Sequence, residues 1–199
     1  DTANRQTALK NAMRQAPDVI LVGEIRDRET MSAALAYAQS GHLCLATMHA
    51  SNSYQALNRI LNFYPEEVRP TLLGDLSSAM AAIIAQRLLR TTDGLRAPAC
   101  EILLNSKLVS ELIEKGDFMG VKDALAQSMT EGSQSFEEDI ARLIRSQRVS
   151  REEGLQAADS PTNLLWRLQN EQTATKKAAE ETPAAEEASF AEFTIDMAN

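Results

Sequence analysis

Gly23-Glu24 closes the apolar run Val19-Ile20-Leu21-Val22, and this bare glycine followed by an acid is the first place where chemistry could sit. The run is short and rich in branched residues, so it reads as a strand buried on both faces. Glu24 then stands at the strand's C-terminal mouth, where the crossover loops of an open parallel sheet diverge and leave a crevice for ligands. A carboxylate on a rigid strand end is what a general base or water-orienting group needs beside a phosphate. It is equally an ordinary acid at a helix start, favoured there by the helix dipole. Gly23 offers no carboxylate one position earlier to help hold magnesium, so a metal would need other ligands.

His42 and His49 are the chain's two histidines, and they bracket a second apolar run, "LCLATM". Extended chain of that length separates them by about 23 Å, so they cannot share one phosphate. His49 lies at the C-terminal end, on the same edge as Glu24, and is the one placed to sense a nucleotide; a structural role is the alternative. His42 lies at the opposite end and reads as a capping, packing or neighbour contact. Arg26 belongs to a charge run, Arg26-Asp27-Arg28-Glu29, of the kind usually found on a solvated helix start, although it could touch a phosphate or a neighbouring subunit. Gln86 and Arg87 are read as the polar close of an apolar helix, either its exposed end or an interface contact. Met13, Met31, Met48 and Met80 fall on core faces and need no cofactor. Nothing matches GxxxxGK[ST], so no glycine-rich loop cradles phosphate and the chain alone should bind nucleotide poorly.

The elements that must hold these residues follow from periodicity. A helix is expected over 1–15, closed by Pro17. The strand to Val22 comes next, then a helix over "RDRETMSAALAYAQSG" with Gly41 as its C-cap, and then the strand "HLCLATMHA". "SNSYQALNRILNFYP" opens with cap-type residues and continues with Leu57, Ile60 and Leu61 on one face until Pro65. Two strand-helix units in succession imply a parallel sheet. A long buried helix is expected from Pro70 to Arg90, then a strand over "RAPACEILLN". Helices follow over 108–115, 121–129, 136–147, 151–157 and 161–168. The Ala/Glu/Thr-rich stretch from 170 to 199 reads as an acidic, solvated tail, in which Phe190, Phe193 and Ile195 could dock on a partner.

With 199 residues, 44% hydrophobic and 24% charged, the chain can bury one main core, and its apolar stretches fall well short of a membrane span. A net charge of −8 argues against nonspecific grip on nucleic acid. Cys44 and Cys100 lie apart in apolar stretches and read as buried free thiols in a reducing compartment.

Together, "ALKNAMRQAPDVILVGEIRDRETMSAALAYAQSGHLCLATMHASNSYQALNRILNFYPEE" resembles the PilT family of type IV pilus retraction ATPases. "EIRDRETM", "GHLCLATMHA", "CEILLNSKLVSELIEKG" and "ADSPTNLL" are most similar to its PilU branch, and the likeness runs from Asp1 to about Leu168. The resemblance implies an α/β fold: the C-terminal part of a RecA-like P-loop ATPase core with a parallel-rich sheet over 1–105, a helical lobe over 106–169, and the tail. It implies ATP and Mg2+ as cofactors, bound mainly by residues upstream of Asp1. It also implies a homo-hexamer on the cytoplasmic side of the inner membrane, with a PilT-type ATPase and a pilus platform protein as partners and no nucleic acid. In this light Glu24 corresponds to the Walker B glutamate, Gly23 is usual before it, and 41–49 matches the His box. The functional motif near the C-terminus reads Leu108-Val109-Ser110-Glu111-Leu112-Ile113, a departure from the AIRNLI-like form that favours an accessory role beside a PilT-type motor. A cysteine-rich zinc insert like that of many type II secretion ATPases is missing.

Overall fold

The computed structural model describes residues 17–127 and 130–180, with only the backbone given for 171–180. The helix expected over 1–15 and the aromatic residues of the far tail lie outside the described residues.

β1 (Val19–Val22) and β2 (Leu43–Ala46) pair in parallel, with Val19 opposite Leu43 and Val22 opposite Ala46. They are joined by α1 (Arg28–Gln39), as the strand-helix-strand pattern requires. Asp27 caps α1 by accepting from the Thr30 N–H at 2.8 Å, and Gly41, at φ +94°, supplies the left-handed residue that turns the chain back toward β2. The strands are one-faced rather than buried on both sides. Ile20 and Val22 enter the core, whereas Val19, Leu21, Leu43 and Leu45 are exposed, because α1 covers one face and no described element covers the other.

α2 (Ser53–Asn62), capped by Asn52, buries Ala56, Leu57 and Ile60. After a 3-10 turn at Glu66–Val68, α3 (Arg69–Ala79) buries Leu72 and Leu76. The helix expected to reach Arg90 stops there. Met80 turns to extended geometry, and Ala82–Arg90 is a strand, β3, paired antiparallel with β4 (Arg96–Leu104). The alanines favour helix, but Ile83, Ala85, Arg87 and Leu89 point one way and Ile84, Gln86 and Leu88 the other. That period-2 surface finds its partner in β4, just across the turn at 91–95, so pairing with the next strand overrides local propensity.

α4 (Lys107–Glu114) and α5 (Phe118–Ala126) join the first core through Val109, Ile113, Phe118, Val121 and Leu125. A second core gathers Ala85, Leu89, Ala97 and Ala99 of the hairpin against Phe136, Ile140 and Leu143 of α6 (Phe136–Arg145), together with Val149 and Leu164. α7 (Arg151–Ala157) and α8 (Pro161–Glu180) complete this half, and the last turns of α8 run into the stretch read as tail. Among the described residues no helix is long and apolar enough to cross a membrane.

Candidate functional site

The parallel register decides what meets at the C-terminal edge. Val22 lies opposite Ala46, and the pairing runs on past both strands: the Ile25 N–H donates to the Thr47 carbonyl at 2.9 Å, and the Thr47 hydroxyl donates to the Gly23 carbonyl. Glu24 and His49 are therefore held side by side, with His49 Nε2 3.2 Å from Glu24 Oε1. The other oxygen, Oε2, takes Arg26 Nε at 2.6 Å and Nη2 at 2.5 Å. The carboxyl of Glu24 is held below the usual range, first by the hydrogen bond from Arg26, against which partial desolvation works, and further by the charges of Arg26 and Arg59 and the nearby His49 imidazole. The group is thus an ionised acceptor with both oxygens engaged. The His49 side chain is 81% exposed and faces open space from the rim, while the Arg59 guanidinium on α2 donates to the His49 carbonyl at 3.0 Å and fixes its backbone.

Glu24, Arg26 and His49 are brought together. His42 is not among them: its Nδ1 sits 2.9 Å from the Ser40 hydroxyl and 3.2 Å from the Tyr37 carbonyl, and its ring lies edge-on to Tyr37 at the opposite end of β2. A Cβ at Gly23 would meet nothing within 4 Å, so the fold of this chain does not itself demand glycine there.

Gln86 and Arg87 do not close a helix; they lie mid-strand on opposite faces of β3, with Gln86 outward. Arg87 points inward and is held within the chain. Its Nη2 meets Asp159 Oδ1 at 2.8 Å and the Ser51 carbonyl at 3.2 Å, Nη1 donates to the Ala157 carbonyl, and the guanidinium lies 3.7 Å over the Phe136 ring. Within the 108–113 segment, Val109 and Ile113 are core and the Ser110 hydroxyl donates to the Ser77 carbonyl at 3.0 Å, while Leu108 and Glu111 face outward and Leu112 is half-buried.

Three contributors escape a reading by sequence. Arg59 is one charge on an amphipathic helix, and nothing in its spacing marks it. Thr47 shares its strand end with His49, which is a usable signal. Glu101 looks like a strand residue, yet it is buried and accepts from the Ser53 N–H at 2.7 Å, four residues past His49. Burial pushes its carboxyl up, partly offset by that N–H.

The α/β architecture, with a carboxylate and an imidazole on the C-terminal rim of a parallel pair, is that of a RecA-like P-loop ATPase fold. The model of the type II/IV secretion system protein family matches residues 2–192, and the chain belongs to that family. It is 44% identical over 165 residues to the type IV pilus ATPase PilU of Pseudomonas aeruginosa, covering 82% of this chain and 43% of that protein. It is 31% identical to the type IV pilus retraction ATPase PilT of the same organism, covering 82% of this chain and 47% of that protein. A crystal structure of the pilus retraction motor PilT with bound ADP superposes with a TM-score of 0.73 at 30% identity, covering 81% of this chain and 45% of that one. The chain therefore spans less than half the length of these relatives.

Proposed function

We propose that this chain carries the water-orienting carboxylate and the phosphate-sensing histidine of an ATP-hydrolysing motor subunit for type IV pilus retraction. The 3.2 Å approach of His49 Nε2 to Glu24 Oε1, on the rim where parallel sheets bind ligands, is the observation that carries this reading. The ionised Glu24 carboxylate accepts a hydrogen bond from water and orients it for in-line attack on a terminal phosphoryl group, while the imidazole Nε2 reaches the same phosphate oxygens. For this Arg26 must release one carboxylate oxygen. Its side chain is 62% exposed, so it can turn outward at little cost and meet phosphate or a neighbouring subunit.

Among the described residues no three His, Cys, Asp or Glu side chains could together hold a metal ion. The donor set fits nucleotide sensing and water orientation, while Mg2+ and the triphosphate need the phosphate-cradling loop that this sequence lacks. Mg2+ neutralises phosphate charge when bound. Work against a pilus requires assembly, so we assign the subunit to a homo-hexameric ring at the cytoplasmic face of the inner membrane, acting on a platform protein with a PilT-type ATPase. The division into a core over 1–105, a lobe over 106–169 and a tail over 170–199 belongs to the same proposal, although the packing cuts across it: α4 and α5 join the first core and the β3–β4 hairpin joins the second.

Because Arg26 and His49 occupy both oxygens of Glu24, a second reading has support: a non-catalytic ring component that leans on its partner's hydrolysis. Glu24→Gln in the full-length protein separates the two. A motor loses ATP turnover by a factor on the order of 100 or more and retraction fails; an accessory ring component keeps retraction whenever its partner is active.

A further inference from the structure

We propose that Arg87 and Asp159 are positioning residues: together they latch the loop carrying His49 to the start of α8, and so set where the imidazole stands. The inference rests on the reading of Glu24 and His49 as the nucleotide-facing pair.

The loop 49–53 is held at every step. The His49 carbonyl accepts from Arg59, and the Ser51 carbonyl accepts from Arg87 Nη2. Asn52, itself buried, donates to Asp159 Oδ2 at 2.8 Å while its own Oδ1 caps α2 at the Gln55 N–H, 2.9 Å away. Ser53 is tied to Glu101. Asp159 thus uses one oxygen on Arg87 and the other on Asn52, bridging β3 to the loop from a position 72 residues beyond Arg87. Arg87 is prevented from swinging away by the Ala157 carbonyl and by the fully buried Phe136 ring beneath it.

Two routes of direct contact therefore run from this pair to His49. One is the Ser51 carbonyl, two residues along the chain. The other passes through Asn52 to α2, whose Arg59 returns to the His49 carbonyl. An ion pair screened from solvent on most sides, with each oxygen assigned, fixes geometry better than a surface pair does. Misplacing the imidazole slightly costs transition-state contact far more than ground-state binding. Rotation of α8 would pull on Asp159 first, which couples the helical half of the chain to the rim.

The test uses Asp159→Asn, which keeps shape and the Asn52 contact, and Arg87→Met, which keeps a chain over Phe136. In the full-length protein, each variant should lower kcat about tenfold with KM changed less than about twofold, and neither should lower it further in a His49→Ala background. Equal losses in both backgrounds, or no loss, overturn the latch. If the wild type turns over no ATP, the proposed function falls and the latch is judged by amide hydrogen exchange. Faster exchange at the Ser53 and Gln55 amides with Ile140 unchanged supports it; unchanged or uniformly faster exchange overturns it.

Discussion

Two buried or half-buried carboxylates beside the rim behave in opposite ways, and their surroundings say why. Glu24 is stabilised as an anion by Arg26, whereas Glu101 is driven toward its neutral form by burial, which the hydrogen bonds from the Ser53 backbone and side chain only partly offset. For Glu101 the folded value lies above the unfolded one. Its contribution is fully present below the ordinary glutamate value and is lost as pH rises through the raised value. Glu101→Gln keeps an acceptor for Ser53 and removes the titration. Chemical denaturation at pH 5 and pH 8 should show the variant gaining stability relative to wild type at the higher pH; an equal difference at both pH values contradicts the assignment. Asp159, which repels the Glu101 charge, and Arg87, which attracts it, are the other groups that set this value.

At the scale of elements, the 108–113 segment separates fold from function. Val109 and Ile113 are buried, so Ile113→Ala should cost about 2–5 kcal/mol in unfolding free energy, while Leu108→Ala, outward on the same helix, should stay within about 0.5 kcal/mol. Loss of retraction in Leu108→Ala or Glu111→Ala at normal stability would mark the outward face as a partner contact. Gly154 offers another check: a Cβ there would lie 2.5 Å from Ile144 Cδ1 and 2.9 Å from Ile140 Cγ2, so Gly154→Ala should destabilise by about 1–3 kcal/mol on thermal unfolding. The parallel strand-helix-strand unit, the cap-type residues before α2, the turn at Gly41 (one residue past the Ser40 cap) and the strand at 96–104 were legible, because each rests on short-range pattern or turn chemistry. β3 was not. Its alanines mask an alternation that becomes a strand only when β4, six residues on, supplies the hydrogen bonds. The same failure hid Arg87, whose partners Asp159 and Phe136 are far away in sequence; the shared edge of Glu24 and His49 was readable because parallel pairing of consecutive units makes it inevitable.

The described residues of the molecule gather into two cores and leave an uneven surface. Val19, Leu21, Leu43 and Leu45 form one exposed apolar sheet face, beside an acidic chain that otherwise favours solubility. Expressed alone, the chain should self-associate at micromolar concentration in sedimentation velocity, and Leu21→Lys with Leu45→Lys should return it to monomer at little cost to stability. A monomeric wild type would show that this face needs no cover. The proposed function has the rim's one carboxylate and one imidazole act together on ATP. Steady-state ATP hydrolysis by the full-length protein, compared with its Glu24→Gln and His49→Ala variants and accompanied by a nucleotide-binding assay, tests it most directly. The account predicts that Glu24→Gln loses turnover by a factor on the order of 100 or more while binding nucleotide normally, with His49→Ala reducing turnover less. Turnover surviving intact in Glu24→Gln would contradict it.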